Sequence, residues 1–313
     1  MDFIAILGFI LAGFSVIAND SVQTLGTWIA SNKKNIPWWG LWLAASLVLI
    51  ITLGYGFIEY GGDISFGRLE KIPYVNVKWY QAIAPLALIF LTRKGVPVST
   101  SFLVLSSFAS SVVLGSMLMK SVMGYVIAAI VAYIFWLLLS KILDESKDVS
   151  DKNRTYWVIA QWGTTSFLWA TWLMHDVANI SVFLPRNLSI TQFILVLTFF
   201  IICLGFIFYQ GGGEIQKIVI SKKNTKYIRS ATFIDAIYAF ILLYFKEVNS
   251  IPMSTTWVFV GLLTGRELAL NSGFWTGKTK VKEIFPMLLK DFLKLMIGLL
   301  VSMGVVLAIN FFF

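Results

Sequence analysis

Ala18-Asn19-Asp20-Ser21-Val22-Gln23 follows seventeen mostly apolar residues, and 156 residues further on Met174-His175-Asp176-Val177-Ala178-Asn179 stands in a second apolar run. A carboxylate at membrane depth is costly unless a cation, a proton or a hydrogen-bond donor accompanies it. A duplicated Asp in such a setting raises two questions about the chain: whether its surroundings are membrane spans, and whether the duplication extends further.

Composition answers the first. The 313 residues are 58% hydrophobic and 13% charged, with a mean hydropathy of +0.80, whereas a soluble domain carries about 25% charged residues. Apolar segments run over 3–30 and 156–183, both interrupted, and over 38–58, 79–91, 98–119, 122–140, 190–209, 231–245, 255–270 and 284–310. The pattern predicts an all-α polytopic membrane protein of about ten segments, since a bilayer core needs ~20 helical residues. The short segments at 79–91, 231–245 and 255–270 are expected to tilt or to fold as re-entrant hairpins. The first segment has no basic n-region and no small-residue cleavage site, so it is expected to be a retained span. Trp38, Trp39, Trp79, Tyr80 and Tyr156 sit where interfacial anchors belong.

Charge orients the spans. Seventeen of the 25 basic residues fall in alternate connections, among them Lys33, Lys34, Arg93, Lys94, Lys152, Arg154, Lys222, Lys223 and Lys280. The inside-positive rule makes that face cytoplasmic and puts both termini outside, in a plasma (inner) membrane. The same placement explains the net charge of +9 without nucleic acid as a partner, the lipid bilayer being sufficient. The lone Cys203 forms no intrachain disulfide.

The duplication does extend. Gly56-Phe57-Ile58-Glu59-Tyr60-Gly61-Gly62-Asp63-Ile64 is echoed by Gly205-Phe206-Ile207-Phe208-Tyr209-Gln210-Gly211-Gly212-Gly213-Glu214-Ile215, and Pro97-Val98-Ser99-Thr100 returns as Pro252-Met253-Ser254-Thr255. The glycine stretches read as chain reversals after a span. Three matches in register divide the chain into a first transmembrane repeat (1–140), a cytoplasmic linker (141–155) and a second repeat (156–313). Five segments per half make these inverted-topology repeats, the plan of alternating-access carriers, with discontinuous helices expected near the motifs.

The chemistry lies in the repeated polar groups. Asn19, Asp20, Asp176 and Asn179 present oxygens suited to a hard cation, and Gln23 is placed in the first half as Asn179 is in the second. Helix capping is the plainer reading of each motif taken singly. Ser99, Thr100, Ser101, Ser254, Thr255 and Thr256 follow a proline at the start of an apolar segment, where free backbone N–H groups and hydroxyls together receive an anion. His175 could donate to an anion, titrate or pack, and Asp235 is a lesser candidate for a proton or cation relay. Arg186 is the one basic residue just past a motif. The sequence has a single histidine and no zinc spacing, and no nucleophile stands with a base, so neither a cofactor nor an enzyme is expected.

These motifs resemble those of the inorganic phosphate transporter (PiT) family, whose halves each carry a Gly-Ala-Asn-Asp-x-x-Asn-like and a Pro-x-Ser-Thr motif. Ile17 replaces the leading Gly, Gln23 the later Asn and His175 the first Asn of the second copy, and the His that often follows the Ser-Thr pair is absent. The resemblance implies a cation-coupled phosphate symporter working by alternating access: the Asp, Asn and Gln groups hold sodium or a proton, and the Ser-Thr helix ends hold inorganic phosphate. Transport of sulfate or another oxyanion, and a membrane receptor that binds an anion without moving it, are the alternatives. Oligomeric state stays open, a homo-oligomer included.

Overall fold

Alternate four-residue stripes show why the long segments are helices with lipid on one side. In α3 (Trp38–Glu59) Leu41, Ala45, Leu49 and Leu53 are buried while Leu43, Leu47 and Ile51 are exposed, the spacing of opposite helix faces. In a chain this apolar the exposed stripe faces acyl chains, not water. The computed structural model describes residues 2–96, 98–142, 151–213, 216–220, 227–248, 252–274 and 279–312, and within them the secondary structure is helical throughout. Six helices are long and apolar enough to cross a bilayer: Phe3–Asn32, Trp38–Glu59, Val112–Leu139, Ile190–Tyr209, Ile228–Glu247 and Val281–Ile309.

Both interrupted segments break at their Asp motifs. α1 (Phe3–Val16) passes through a π-helical turn, Ile17–Ser21, into α2 (Val22–Asn32). α7 (Asp151–Asp176) stops at the motif and resumes after Val177 as α8 (Ala178–Ser181). Such irregular turns cost helix hydrogen bonds and concentrate at functional sites.

The two short segments of the first half form a hairpin. α4 (Ile83–Arg93), entered through a 3-10 turn at Trp79–Ala82, and α5 (Thr100–Val104), continued by a 3-10 turn at Leu105–Ser107, are each too short for a ~30 Å core. Gln81 Nε2 donates to Ser107 O (3.2 Å), tying the open end of the hairpin. α11 (Ile228–Val248) and α12 (Thr255–Asn271) form the corresponding pair, tied by Arg266 Nη2 to Ser230 Oγ (2.8 Å). The run 98–119 is thus not one span. It divides at Phe108–Ser110, and Lys120, expected between spans, is buried inside α6 (Ser111–Ile142). Hydropathy joins the pieces because three hydroxyls, Ser106, Ser107 and Ser110, barely lower the average of their apolar neighbours.

α9 (Ile190–Tyr209), α10 (Gln216–Ile220) and α13 (Val281–Phe312) complete the fold. The glycine stretches end α3 and α9 alike: Gly62 N donates to Phe57 O (2.8 Å) and Gly212 N to Ile207 O (3.0 Å), with φ of 97° and 92°. That left-handed turn suits glycine. Of the linker expected at 141–155, residues 143–150 lie outside the described residues, and its flanks are the ends of α6 and α7. Trp38, Trp39, Trp79 and Tyr156 are exposed near helix ends, as anchors are.

Candidate functional site

The first turns of α5 and α12 meet the two Asp motifs in the protein interior, and the Asp, Asn, Gln, His, Ser and Thr side chains named above for the site are at most 3% exposed. The serines open the two helices. Ser99 Oγ accepts from Phe102 N (3.2 Å) and Ser254 Oγ from Trp257 N (3.3 Å), so both are N-caps, placed at the buried centre and not at a water boundary. Pro252 is buried beside its cap, while Pro97 lies outside the described residues.

The next hydroxyls cross between the halves reciprocally. Ser101 Oγ donates to Met253 O (3.0 Å), and its counterpart Thr256 Oγ1 donates to Val98 O (3.1 Å). Thr100 Oγ1 donates to Asp20 Oδ2 (2.7 Å), and the Thr255 side chain stands against Asp176. Gln23 Nε2 reaches Asp20 Oδ1 (3.3 Å) and Thr256 Oγ1 (3.2 Å), while Asn179 Nδ2 reaches Asp176 Oδ1 (2.9 Å) and Thr100 Oγ1 (2.7 Å). Asn19 Nδ2 donates to Asp20 Oδ1 and to Val98 O (2.9 Å). A pseudo-two-fold relation therefore links the four motifs into one cluster.

The donors are used and several acceptors are left over. Asn19 Oδ1, Gln23 Oε1, Asn179 Oδ1 and Asp176 Oδ2 are buried and accept no hydrogen bond. Buried polar atoms are nearly always satisfied, so four spare oxygens around two carboxylates are a set of ligands for a hard cation. No group of three or more His, Cys, Asp or Glu side chains that could hold a transition metal occurs among the described residues.

The fold has a solved counterpart, entitled "The sodium-dependent phosphate transporter", which aligns over 98% of this chain and 96% of its own length with a TM-score of 0.63 and 19% sequence identity. The chain shares that transporter's fold. Neither a protein-family model nor a curated protein matches the sequence. At 19% identity the likeness to the sodium-dependent phosphate transporter is one of architecture, an integral membrane bundle of apolar helices with interrupted segments.

Two further residues make contacts outside the cluster, packing being one of the readings the sequence allows for His175. His175 Nε2 lies 2.7 Å from Leu242 O, which makes that nitrogen the donor and uses it to tie α7 to α11. Arg186 donates to Ile72 O (3.0 Å) and stacks on Tyr74, away from the motifs.

A buried basic residue, Arg68, 2% exposed, stands close enough to act electrostatically on Asp176 and His175. Its loop is shaped by Asp63, which accepts from Ser65 N (2.7 Å), Ser65 Oγ (2.8 Å) and Gly67 N (3.2 Å). Burial lowers the Arg68 pKa to about 10, with Asp176 opposing the shift. A cavity of about 290 Å³ approaches from the opposite side: Arg93, Thr92, Gln210 and Gly212 line it, and it reaches Ser15 and Ala18, the residue before Asn19.

Proposed function

We propose that the chain is a sodium-coupled inorganic phosphate symporter of the plasma membrane that works by alternating access. The observation that carries this reading is the reciprocal crossing of Ser101 and Thr256 between halves, which gathers both carboxylates and the spare amide oxygens at one buried centre. Phosphate would draw the hydroxyls and amide N–H groups of Thr100, Ser101, Thr255, Thr256, Gln23 and Asn179 away from the partners they have within the cluster. Sodium would take the oxygens of Asn19, Asp20, Asp176 and Asn179.

Charge makes the coupling necessary. A phosphate beside Asp20 and Asp176 is an anion beside two carboxylates, with Arg68 as the buried counter-charge, and like charges in a low dielectric repel strongly. Cations must enter with it. Amide oxygens coordinate sodium but take up protons poorly, which favours sodium over a proton as the coupled ion.

The same carboxylates favour phosphate over sulfate. At neutral pH phosphate retains a P–OH that can donate to a carboxylate of the cluster, Asp176 Oδ2 being the oxygen with room for a further donor. Sulfate has no proton to offer, and a site whose buried polar group is left unpaired rejects the analogue lacking the donor. The burial of the cluster fits an occluded centre, and the Arg93-lined cavity supports an opening toward that face.

Purified protein in liposomes should accumulate labelled phosphate when sodium is higher outside, with excess sulfate competing weakly. Uptake indifferent to both sodium and proton gradients would overturn the coupling, and uptake driven equally well by a proton gradient alone would overturn the choice of sodium. Sulfate inhibiting as well as unlabelled phosphate would overturn the substrate. Saturable phosphate binding with no flux would make the protein a receptor.

A further inference from the structure

The cavity of about 290 Å³ lies between α1, α4 and the end of α9. It offers several times the ~30 Å³ that a water takes in the liquid, room for a tetrahedral anion with part of its hydration. Its deep end touches Ser15 and Ala18, one residue from Asn19 of the central cluster, and its mouth carries the exposed Arg93 and Gln210.

Two observations give this space a charge and a donor. Arg93 pairs with no carboxylate among the described residues, and none of the described residues that line the cavity is acidic. Thr92 Oγ1, from the same turn of α4, is buried and makes no hydrogen bond, a state rare for a buried hydroxyl. An arginine in the last turn of a helix also complements the helix dipole. Lys94, stacked over Phe90 (5.8 Å to the ring centroid), serves the dipole as well, and the dipole does not account for the Thr92 hydroxyl.

The pseudo-equivalent place in the other half is filled. Gly62, the counterpart of Gly212, accepts from Leu188 N (3.0 Å), and a Cβ on it would lie 2.9 Å from Leu188 O. A Cβ on Gly211, by contrast, would meet nothing within 4 Å. On the filled side Arg68 is buried and acts on His175, the counterpart of Asn19. One Asp motif therefore has an arginine packed in beside it, and the other has an arginine at the mouth of an open cavity.

We infer that this cavity is a second phosphate station, between the central cluster and the Arg93 face, where the Arg93 guanidinium and the Thr92 hydroxyl hold inorganic phosphate after it leaves Asp20 and Asp176. This rests on the phosphate reading above. The central cluster has two carboxylates, so an anion stays there only with cations beside it. The station has a guanidinium and no acid, so it keeps phosphate after sodium has gone. A guanidinium forks onto two phosphate oxygens, and the exposure of Arg93 to water and salt keeps the binding weak enough for release.

The test uses the full chain with Cys203→Ser as background and one cysteine, Gln210→Cys, at the mouth. In detergent without sodium, inorganic phosphate should slow modification of that cysteine by an uncharged maleimide. Adding Arg93→Gln or Thr92→Val should raise the phosphate concentration needed by about tenfold, the effect of one lost charge-assisted hydrogen bond, while Arg93→Lys should keep part of the protection. In liposomes both variants should raise the phosphate KM more from the Arg93 face than from the opposite face, at a wild-type thermal midpoint. Thr92→Val, nearly isosteric, carries the test if Arg93→Gln fails to accumulate.

Protection that requires sodium, or that survives both substitutions unchanged, would overturn the inference. Equal rises in KM from the two faces would place Arg93 and Thr92 in the central machinery and overturn it too. A lipid headgroup brings the same phosphate chemistry: phosphatidylglycerol retained in native mass spectra and lost in Arg93→Gln, with no protection by inorganic phosphate, would assign the cavity to lipid and overturn the station. If the wild-type protein moves no phosphate, the symport reading fails alone and the sodium-free protection still decides.

Discussion

Ser99 and Ser254 direct their hydroxyl oxygens to the backbone N–H groups of Phe102 and Trp257, so the hydroxyls left for a solute are those one and two residues further on. Ser254→Ala should therefore cost about 1 kcal/mol of stability, the usual loss of an N-cap, and lower the thermal midpoint with little change in phosphate KM. Thr256→Val should do the converse: it removes the donor to Val98 O and the acceptor of Gln23 Nε2, and uptake kinetics should show a raised KM at near-normal stability. Arg68 makes a second contrast, with Arg186. Arg68→Gln should depress uptake, whereas Arg186→Gln, whose contacts are to the 72–74 backbone and ring, should leave it near wild type; equal effects would remove Arg68 from the site. Burial lowers the Arg68 pKa and Asp176 opposes the shift, and a guanidinium stays protonated through the working range, so loss of its charge should not limit uptake between about pH 6 and 8. The motif residues could be read in the sequence because each occurs twice in register. Arg68 could not, because its loop has no repeat partner and no hydropathy signal, and its burial comes from a fold set by Asp63 and by Gly62 and Gly67 at positive φ.

At the scale of elements, the hairpin α11–α12 carries half of the hydroxyls, and its position depends on how closely α12 approaches α6. A Cβ on Gly261 would lie 2.4 Å from Tyr125 O, and one on Gly265 would lie 2.0 Å from Ala129 O. Both obstacles are backbone, which cannot swing aside, and the four-residue spacing is the small-residue pattern that lets membrane helices touch. Gly265→Ala should push α12 off α6, at a cost of about 1–3 kcal/mol for overpacking, and displace Ser254–Thr256 from Asp176. Size-exclusion and thermal-shift measurements should show a less stable but folded protein, and sodium-driven uptake should fall further than the stability loss accounts for. Gly163→Ala is the control, since nothing stands within 4 Å of a Cβ there. The element list was readable from hydropathy for the long helices and misleading for 98–119. A window average cannot separate a short helix ending in Ser106-Ser107 from the start of α6, because the break consists of three residues whose neighbours remain apolar. The interruptions in the first and sixth segments were readable, since an Asp beside an Asn or His is a large local drop.

For the whole molecule the parity of crossings matters more than their number. Counting five spans per half predicts inversion. The structure instead suggests three crossings and one re-entrant hairpin per half, and three is also odd, so the halves invert either way. α7 is one of those crossings although its composition is too polar for a hydropathy criterion: its 26 residues reach about 39 Å, and Gln161, Thr165 and Thr171 are buried against other helices, not exposed to lipid. The hairpins enter from opposite faces, since the tied end of one is Gln81–Ser107 and that of the other is Ser230–Arg266. Six crossings return the chain to its starting side, which the inside-positive rule predicts to be external. Single cysteines introduced at exposed positions test this directly, because the one native thiol, Cys203, is buried and Cys203→Ser removes any remaining background. In right-side-out vesicles a membrane-impermeant maleimide should label Glu70→Cys and Asn187→Cys at once, and Lys33→Cys and Lys280→Cys only after permeabilisation. Labelling of Lys33→Cys and Glu70→Cys from the same side would mean that α3 does not cross, and the inverted repeat would fail with it. Labelling of all four positions with inside and outside exchanged would preserve the repeat and reverse its orientation in the membrane.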